Sequence, residues 1–321
     1  MSKMPTIVTI GKATQDVFLR GKIFAPHKEG GKTFEHLPMG EKLDVEDVVF
    51  STGGNATNAA ATFARQGLHS RYAWALGHEL SSQVILQELE REGIDTSFVV
   101  QDDYFRASYS TVLLSPEGER TILNYHGTMV GADGHPLDLT VLDDADWLYV
   151  SSVGSMELLN KIVTYAAHHK TKIMLNPAGT ELAHPRKLKA LLEDITVLAL
   201  NKEEMQLLVE GQTSEELVRH GVQYCPVIIV SDGPRGVVAT DSTSLVKAGM
   251  YEDVPVIDRL GAGDAFGSGF LSQWAQGKSL EESIIFASAN STSVVGQIGA
   301  KAGILERGVK LHDMPLQVSS L

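Results

Sequence analysis

The stretch Asp258-Arg259-Leu260-Gly261-Ala262-Gly263-Asp264-Ala265-Phe266-Gly267-Ser268-Gly269-Phe270 runs without a break into the apolar segment LSQWAQG. Gly261, Ala262 and Gly263 have almost no side chain, so a ligand can approach the backbone where the predicted helix begins. The first N–H groups of a helix have no partner within it, and the helix dipole adds positive potential there, so this turn suits an anion such as a phosphate. Asp264 stands among those groups, where its charge would compete with a phosphate. Accepting a proton from an attacking hydroxyl is the chemistry that gives a carboxylate a task in that place. The plainer reading is that Asp264 caps the helix and the glycines only permit a turn. A dinucleotide fingerprint fits less well, because the third glycine of GAGDAFG falls one residue late and Glu281 opens the helical pattern EESIIFASANSTSVVG instead of ending a strand.

Outward from this turn, short apolar, β-branched runs recur: TIVTIG (6–11), WLYVSSVG (147–154), KIMLNPAG (172–179), ITVLALN (195–201) and PVIIVSDG (226–233). Helical patterns lie between most of them, at 55–67, 81–93, 155–170 and 201–211. Strand then helix, repeated, predicts an α/β fold with a doubly wound, mainly parallel sheet and helices on both faces. Ligands bind beyond the carboxyl ends of such strands, which singles out Asn176, Asn201, Ser231 and Asp232. One stretch breaks the rhythm: RASYSTVLLSPEGERTILNYHG (106–127) places two β-rich runs around Ser-Pro-Glu-Gly and reads as a hairpin. Together with the Gly-punctuated segment 17–50, it predicts a small β-sheet lid. The expected division is a core of 1–16, 51–97 and 128–321 and a lid of 17–50 and 98–127.

Composition narrows the functional classes. In 321 residues, 43% are hydrophobic and 21% charged, values typical of a globular chain. The net charge of −13 disfavours nucleic acid and anionic membranes as partners, though backbone N–H groups can still hold a small anion locally. Cys225 is the one cysteine, so an internal disulfide and Cys-based zinc sites are excluded. With no signal-peptide pattern at MSKMPTIVTIG and no run approaching ~18 apolar residues, a cytoplasmic protein is expected.

Three further strings carry polar or glycine-rich patterns. Ser51-Thr52-Gly53-Gly54-Asn55-Ala56-Thr57-Asn58 opens a helix in which Asn58 lies about one turn inside, where its amide can serve ligand hydroxyls; alternatively Thr52 and Asn55 are caps and Asn58 is solvated. Asn201-Lys202-Glu203-Glu204 is an N-cap with a capping-box Glu, or a site where Glu204 holds Mg²⁺ through water beside a bound phosphate. Pro26-His27-Lys28-Glu29-Gly30-Gly31-Lys32-Thr33 ends like a P-loop but begins with Pro and is not followed by a helical pattern. The eleven histidines form no metal-ligand pattern.

Together GGNATN, NKEE and DRLGAGDAFGSGF, in that order, resemble the ribokinase-like (PfkB) family of carbohydrate and nucleoside kinases. The resemblance implies a doubly wound α/β core with a small β lid, and transfer of the γ-phosphoryl group of ATP to a primary hydroxyl, with Mg²⁺. It implies Asp264 as catalytic base and the N–H groups of Gly261, Ala262 and Gly263 as an anion hole. Asp16, Gly53, Gly54 and Asn58 match positions that hold the acceptor's hydroxyls. Asn201 and Glu204 match the Mg-phosphate motif; Ser231, Gly233 and Gly236 match the nucleotide-side turn; and Asn290 matches a residue packed against adenine. A monovalent cation such as K⁺ near Asp258 and Leu260 is common in that family. Arg259, where the family usually has a small hydroxyl residue, adds a cation for a phosphate or an acidic acceptor. A sugar is the expected acceptor, a purine nucleoside the alternative if Phe18, Tyr104, Phe105 or Tyr109 lines the site, and a catalytically silent sensor the remaining reading. An exposed lid edge would suit a homodimer.

Overall fold

The computed structural model describes residues 3–116, 119–130, 137–251 and 254–321. Nine strands form the main sheet, in the spatial order Leu316–Ser320, Ser244–Ala248, Val237–Thr240, Val227–Ser231, Val197–Asn201, Lys172–Leu175, Trp147–Val150, Thr6–Ile10, His69–Ala73. The six from Val227–Ser231 to His69–Ala73 pair in parallel, and the remaining three add an antiparallel edge. Alternate residues of the five parallel strands inside the sheet enter opposite cores. Val8, Leu148, Val150, Ile173, Leu198 and Ile228 pack on one side, with Ile85, Leu159 and Ile162. Ile7, Trp147, Tyr149, Met174, Val197 and Ile229 pack on the other, with Phe63, Phe270 and Ile284. Burial on both faces explains why these strands read as unbroken apolar runs.

Strand 6–10 lies between 147–150 and 69–73, so strand order reverses beside it and a crevice opens at its carboxyl end. Helices Asn55–Arg65, Leu80–Arg91 and Met156–His168 match their predicted positions. The helix expected over 201–211 does not: it ends at Gln206, after which the N–H groups of Leu207 and Leu208 bond carbonyls three residues back, as in turns.

A separate four-stranded sheet has the order Arg120–Tyr125, Ser108–Leu114, Thr14–Arg20, Asp47–Gly53. The predicted hairpin is present as Ser108–Leu114 with Arg120–Tyr125; Glu117 and Gly118 of its turn lie outside the described residues. The boundaries shift from those expected. Residues 14–16 and 51–53, assigned to the core by sequence, belong to this sheet, and Val100–Gln101, assigned to the lid, pairs with Ala75–Leu76. The P-loop look-alike falls on an exposed hairpin, His27–Glu29 with Lys32–Phe34. Among the described residues no helix is long and apolar enough to cross a membrane.

Candidate active site

The small sheet meets the core where strand 14–20 leaves strand 6–10. Ser51, Asp16, Ser110 and Asn124 sit opposite one another across its four strands, so their side chains share one face. The Ser110 hydroxyl donates to Asp16 Oδ1. Beneath this row lies a cavity of about 190 Å³ lined by Asp16, Gly53, Gly54, Asn58, Gly261 and Asp264, joined by Ser110, Asn124 and Asn55. Gly54, at φ 99°, is the N-cap of helix 55–65, and a Cβ there would lie 2.3 Å from Lys12 O. The chain is therefore closed too tightly around the cavity for any side chain at that position.

Helix Ala262–Trp274 begins directly across the cavity, with Gly261 left-handed at φ 78° as its N-cap. A Cβ on Gly261 would lie 2.4 Å from Ala300 Cβ, so the turn needs glycine for space as well as for φ. Asn58 is buried, not solvated, and its Nδ2 donates to Asp264 Oδ2 at 2.9 Å, while its Oδ1 is buried with no partner among the described residues. Asp264 is half-buried, yet protein crowds its carboxyl. That desolvation raises its pKa to about 6, against the lowering effects of the Asn58 bond and the charge of Lys301. Desolvation likewise raises Asp16, opposed by Ser110 and Lys301.

A second cavity, of about 300 Å³, lies on the other side of the same turn. Ala262, Gly263 and Arg259 line it together with Ser231, Gly233 and Gly236 from the end of strand 227–231. Leu260, Gly261 and Asp264 thus face one cavity, and Arg259, Ala262 and Gly263 face the other. The 259–264 turn is the wall between them.

Asn290, Asn201, Glu204 and Asp258 lie outside the linings of both cavities. Asn290 lines neither cavity: it is fully buried, donating to Ala265 O at 2.8 Å and accepting from Leu305 N at 2.9 Å, so both ends of its amide tie helix 280–295 to its neighbours. Its helix neighbours Ser288, Ser291 and Thr292 line the larger cavity instead. Asn201 and Glu204 form a full capping box, with Glu204 N to Asn201 Oδ1 at 2.9 Å and Asn201 N to Glu204 Oε2 at 3.0 Å. They sit beside the larger cavity through the pairing of Asn201 with Ser231, without lining it. Burial raises the Glu204 pKa. Asp258 is buried beneath the turn, accepting from Leu260 N (3.0 Å) and Gly299 N (3.2 Å), with Arg120 Nη1 3.8 Å away.

A model of the pfkB family of carbohydrate kinases matches residues 26–307. The chain belongs to that family. It is accordingly a kinase, a phosphotransferase with an alcohol group as acceptor. The ribokinase of Bacillus subtilis (strain 168) is 25% identical over 257 residues, covering 79% of this chain and 85% of that one. The 2-dehydro-3-deoxygluconokinase of Haemophilus influenzae is 26% identical over 262 residues, covering 72% and 82%. Among solved structures, Arabidopsis thaliana ribokinase complexed with ribose and ATP superposes with a TM-score of 0.76 at 20% identity, covering 95% of this chain and 96% of that one. A Burkholderia thailandensis nucleoside kinase in complex with inosine reaches 0.74 at 16% identity, covering 94% and 95%.

Sequence reading of this pfkB kinase missed several residues at the site. Ser110 and Asn124 lie on the predicted hairpin, where two-residue alternation with Ile122 and Val112 carried the signal. Thr14 and Asn55 also line the smaller cavity. Lys301 and Arg120 left no local signature.

Proposed function

We propose that the protein transfers the γ-phosphoryl group of Mg-ATP to a primary hydroxyl of a neutral monosaccharide. The observation that carries this reading is the turn 259–264 shared by two cavities, which sets acceptor and nucleotide on either side of one set of backbone N–H groups. The smaller cavity takes the acceptor. Asp16, Asn58, Asn124 and Ser110 offer hydrogen bonds to several hydroxyls, and the unpartnered Asn58 Oδ1 awaits a donor. The acceptor hydroxyl attacks the γ-phosphorus as the bond to the bridging oxygen of ADP breaks, and its proton passes to Asp264. A carboxyl with a pKa of about 6 is a stronger base than an ordinary one and is still ionised at neutral pH. The N–H groups of Gly261, Ala262 and Gly263 stabilise charge on the transferring group, and the lid sheet excludes water.

The larger cavity takes the nucleotide, with Ser231, Gly233 and Gly236 along it and Arg259 on the phosphate side. Mg²⁺ commonly binds through one or two carboxylates, several waters and substrate phosphates, and the single carboxyl of Glu204 beside this cavity suits that mode. When bound, the ion neutralises charge on the phosphates. ATP as donor implies a cytoplasmic setting.

Size and lining favour a sugar over a nucleoside. About 190 Å³ falls below the roughly 300 Å³ at which pockets for drug-sized ligands begin. Among the described residues no aromatic ring lines it. Phe18 and Phe105 are packed in the interior, Tyr104 is exposed, and Tyr109 alternates with Ser110 onto the opposite face of the lid. Nor does any cation among the described residues, whereas Asp16 and Asp264 do, which disfavours sugar acids and sugar phosphates. On the lid's outer face Phe50 and Leu123 lie in one cross-strand row and are exposed, and a second copy of the chain covering this row would form the expected homodimer. Sedimentation as a monomer would sink that part.

The test is acceptor-dependent ADP release with Mg-ATP across pentoses, hexoses, sugar acids, sugar phosphates and nucleosides, run beside Asp264→Ala. A neutral sugar that stimulates the protein and not the variant is the expected result. Equal rates in both with every acceptor would replace the kinase by a ligand sensor, and stimulation by a nucleoside alone would overturn the choice of acceptor.

A further inference from the structure

Lys301 is 4% exposed and lies in the segment after helix 280–295. Its ammonium donates to Thr52 O (2.9 Å), Thr52 Oγ1 (3.0 Å) and Thr57 Oγ1 (3.0 Å), and among the described residues no carboxylate pairs with it directly. Its backbone is also fixed. Arg65, paired with Glu92 at 2.6 Å, donates to Lys301 O at 2.8 Å and Ile304 O at 3.1 Å. A buried ammonium without a paired carboxylate is costly, and an uncharged chain of similar length would fill the space without that cost.

The three contacts lead straight to the acceptor cavity. Thr57 Oγ1 lies 2.6 Å from Gly53 O and 3.0 Å from Gly54 O, so the ammonium grips both ends of the turn that forms the cavity floor. Gly53 in turn lies against Asp16, whose Oδ2 would be 2.2 Å from a Cβ at that position. The charged groups facing Lys301 are Asp16 from strand 14–20, Asp264 from helix 262–274, and Glu88 and Glu92 from helix 80–91 and its C-cap. Arg65 is the cation beside it.

We propose that Lys301 is a positioning residue for phosphoryl transfer: its ammonium holds the Gly53–Gly54 turn through Thr52 and Thr57, and its charge offsets the two carboxylates, Asp16 and Asp264, that share the acceptor cavity. Burial, the largest influence, lowers the Lys301 pKa to about 8, while Asp16, Glu88, Glu92 and Asp264 draw it upward. The effect is mutual, since Lys301 lowers the pKa of both Asp16 and Asp264. Its charge thus favours the ionised form of both carboxyls that line the acceptor cavity. The charge is therefore present while Asp264 works as a base, and is lost as the medium becomes alkaline.

The inference rests on the proposed kinase reading and is tested by kcat and KM for the acceptor against pH in the wild type, Lys301→Met, Lys301→Arg and Thr57→Val, with thermal melts alongside. In Lys301→Met the acid limb of kcat/KM should move to higher pH and the alkaline limb should disappear. In Lys301→Arg, whose charge persists, the acid limb should stay and the alkaline limb should leave the accessible range. Thr57→Val should raise the acceptor KM without moving either limb. A Met variant with both limbs unmoved and only a lower melting temperature would reduce Lys301 to a space filler. If the Met variant does not fold, an alkaline limb near pH 8 that persists in Lys301→Arg overturns the proposal. Wild type without acceptor-dependent ADP release would sink the kinase reading and this inference together; release with unmoved limbs sinks this one alone.

Discussion

Asn58 Nδ2 donates to Asp264 Oδ2 at 2.9 Å, joining two helix starts whose residues are 206 positions apart in the chain. The bond orients the carboxyl toward the cavity and favours its ionised form. Asn58→Ala should therefore push the Asp264 pKa above its value of about 6, so that kcat/KM falls more at pH 6 than at pH 8. A uniform loss across pH would show that Asn58 only binds the acceptor.

Asp264 itself places function against stability. Its folded pKa of about 6 exceeds the unfolded value of roughly 3.9, so the folded state holds the proton more tightly, and stability is lost as pH rises from about 4 through 6. At neutral pH the penalty is at most about 3 kcal/mol. Asp264→Asn should abolish acceptor-dependent turnover, by about a hundredfold or more, yet melt higher than wild type at pH 7.5. Melts at pH 4.5 should show the gap closing; a variant less stable at both pH values would contradict the burial argument.

Arg259 faces the nucleotide side of the dividing turn. Arg259→Ala should raise the KM for ATP and leave that for the acceptor unchanged, as steady-state kinetics with each substrate varied would reveal. A rise confined to the acceptor would place the guanidinium across the wall.

Asn124 reaches the acceptor cavity from the far strand of the lid hairpin, directly opposite Ser110. Asn124→Ala should raise the acceptor KM several-fold, the loss of about one hydrogen bond, with little change in the KM for ATP. No change in either constant would mean that this strand does not touch the acceptor.

Asp258, the expected neighbour of K⁺, already accepts from two backbone N–H groups and lies 3.8 Å from Arg120 Nη1. A guanidinium there repels a second cation, so replacing K⁺ by Na⁺ should leave turnover unchanged. A strong dependence on K⁺ would require Arg120 to move away.

Much of the architecture was legible because its causes are local. The apolar runs at 6–11, 147–154, 172–179 and 226–233 announce strands buried on both faces, and Gly261 is required by the φ of its own turn. The Asp264 turn and the GGNATN helix start could be read for the same reason: steric freedom and unpaired N–H groups are properties of a few adjacent residues. Asn290 shows the limit. Its position in the helix was readable, but which way the amide faces depends on the packing of helix 280–295 against helix 262–274, and it faces inward.

What tertiary structure alone decided is which distant residues share a cavity and how charge is balanced there. Ser51, Asp16, Ser110 and Asn124 become one row only through the register of four strands, two of them parallel although far apart in sequence. Nothing in the string GAKAG sets Lys301 apart, yet the close of the chain carries it beneath the Gly53–Gly54 turn. Sequence records the chemistry each residue can offer; burial and distance set the pKa of Asp264 and the setting of Lys301, because Coulomb and desolvation energies depend on what surrounds a charge in space, not on its neighbours along the chain.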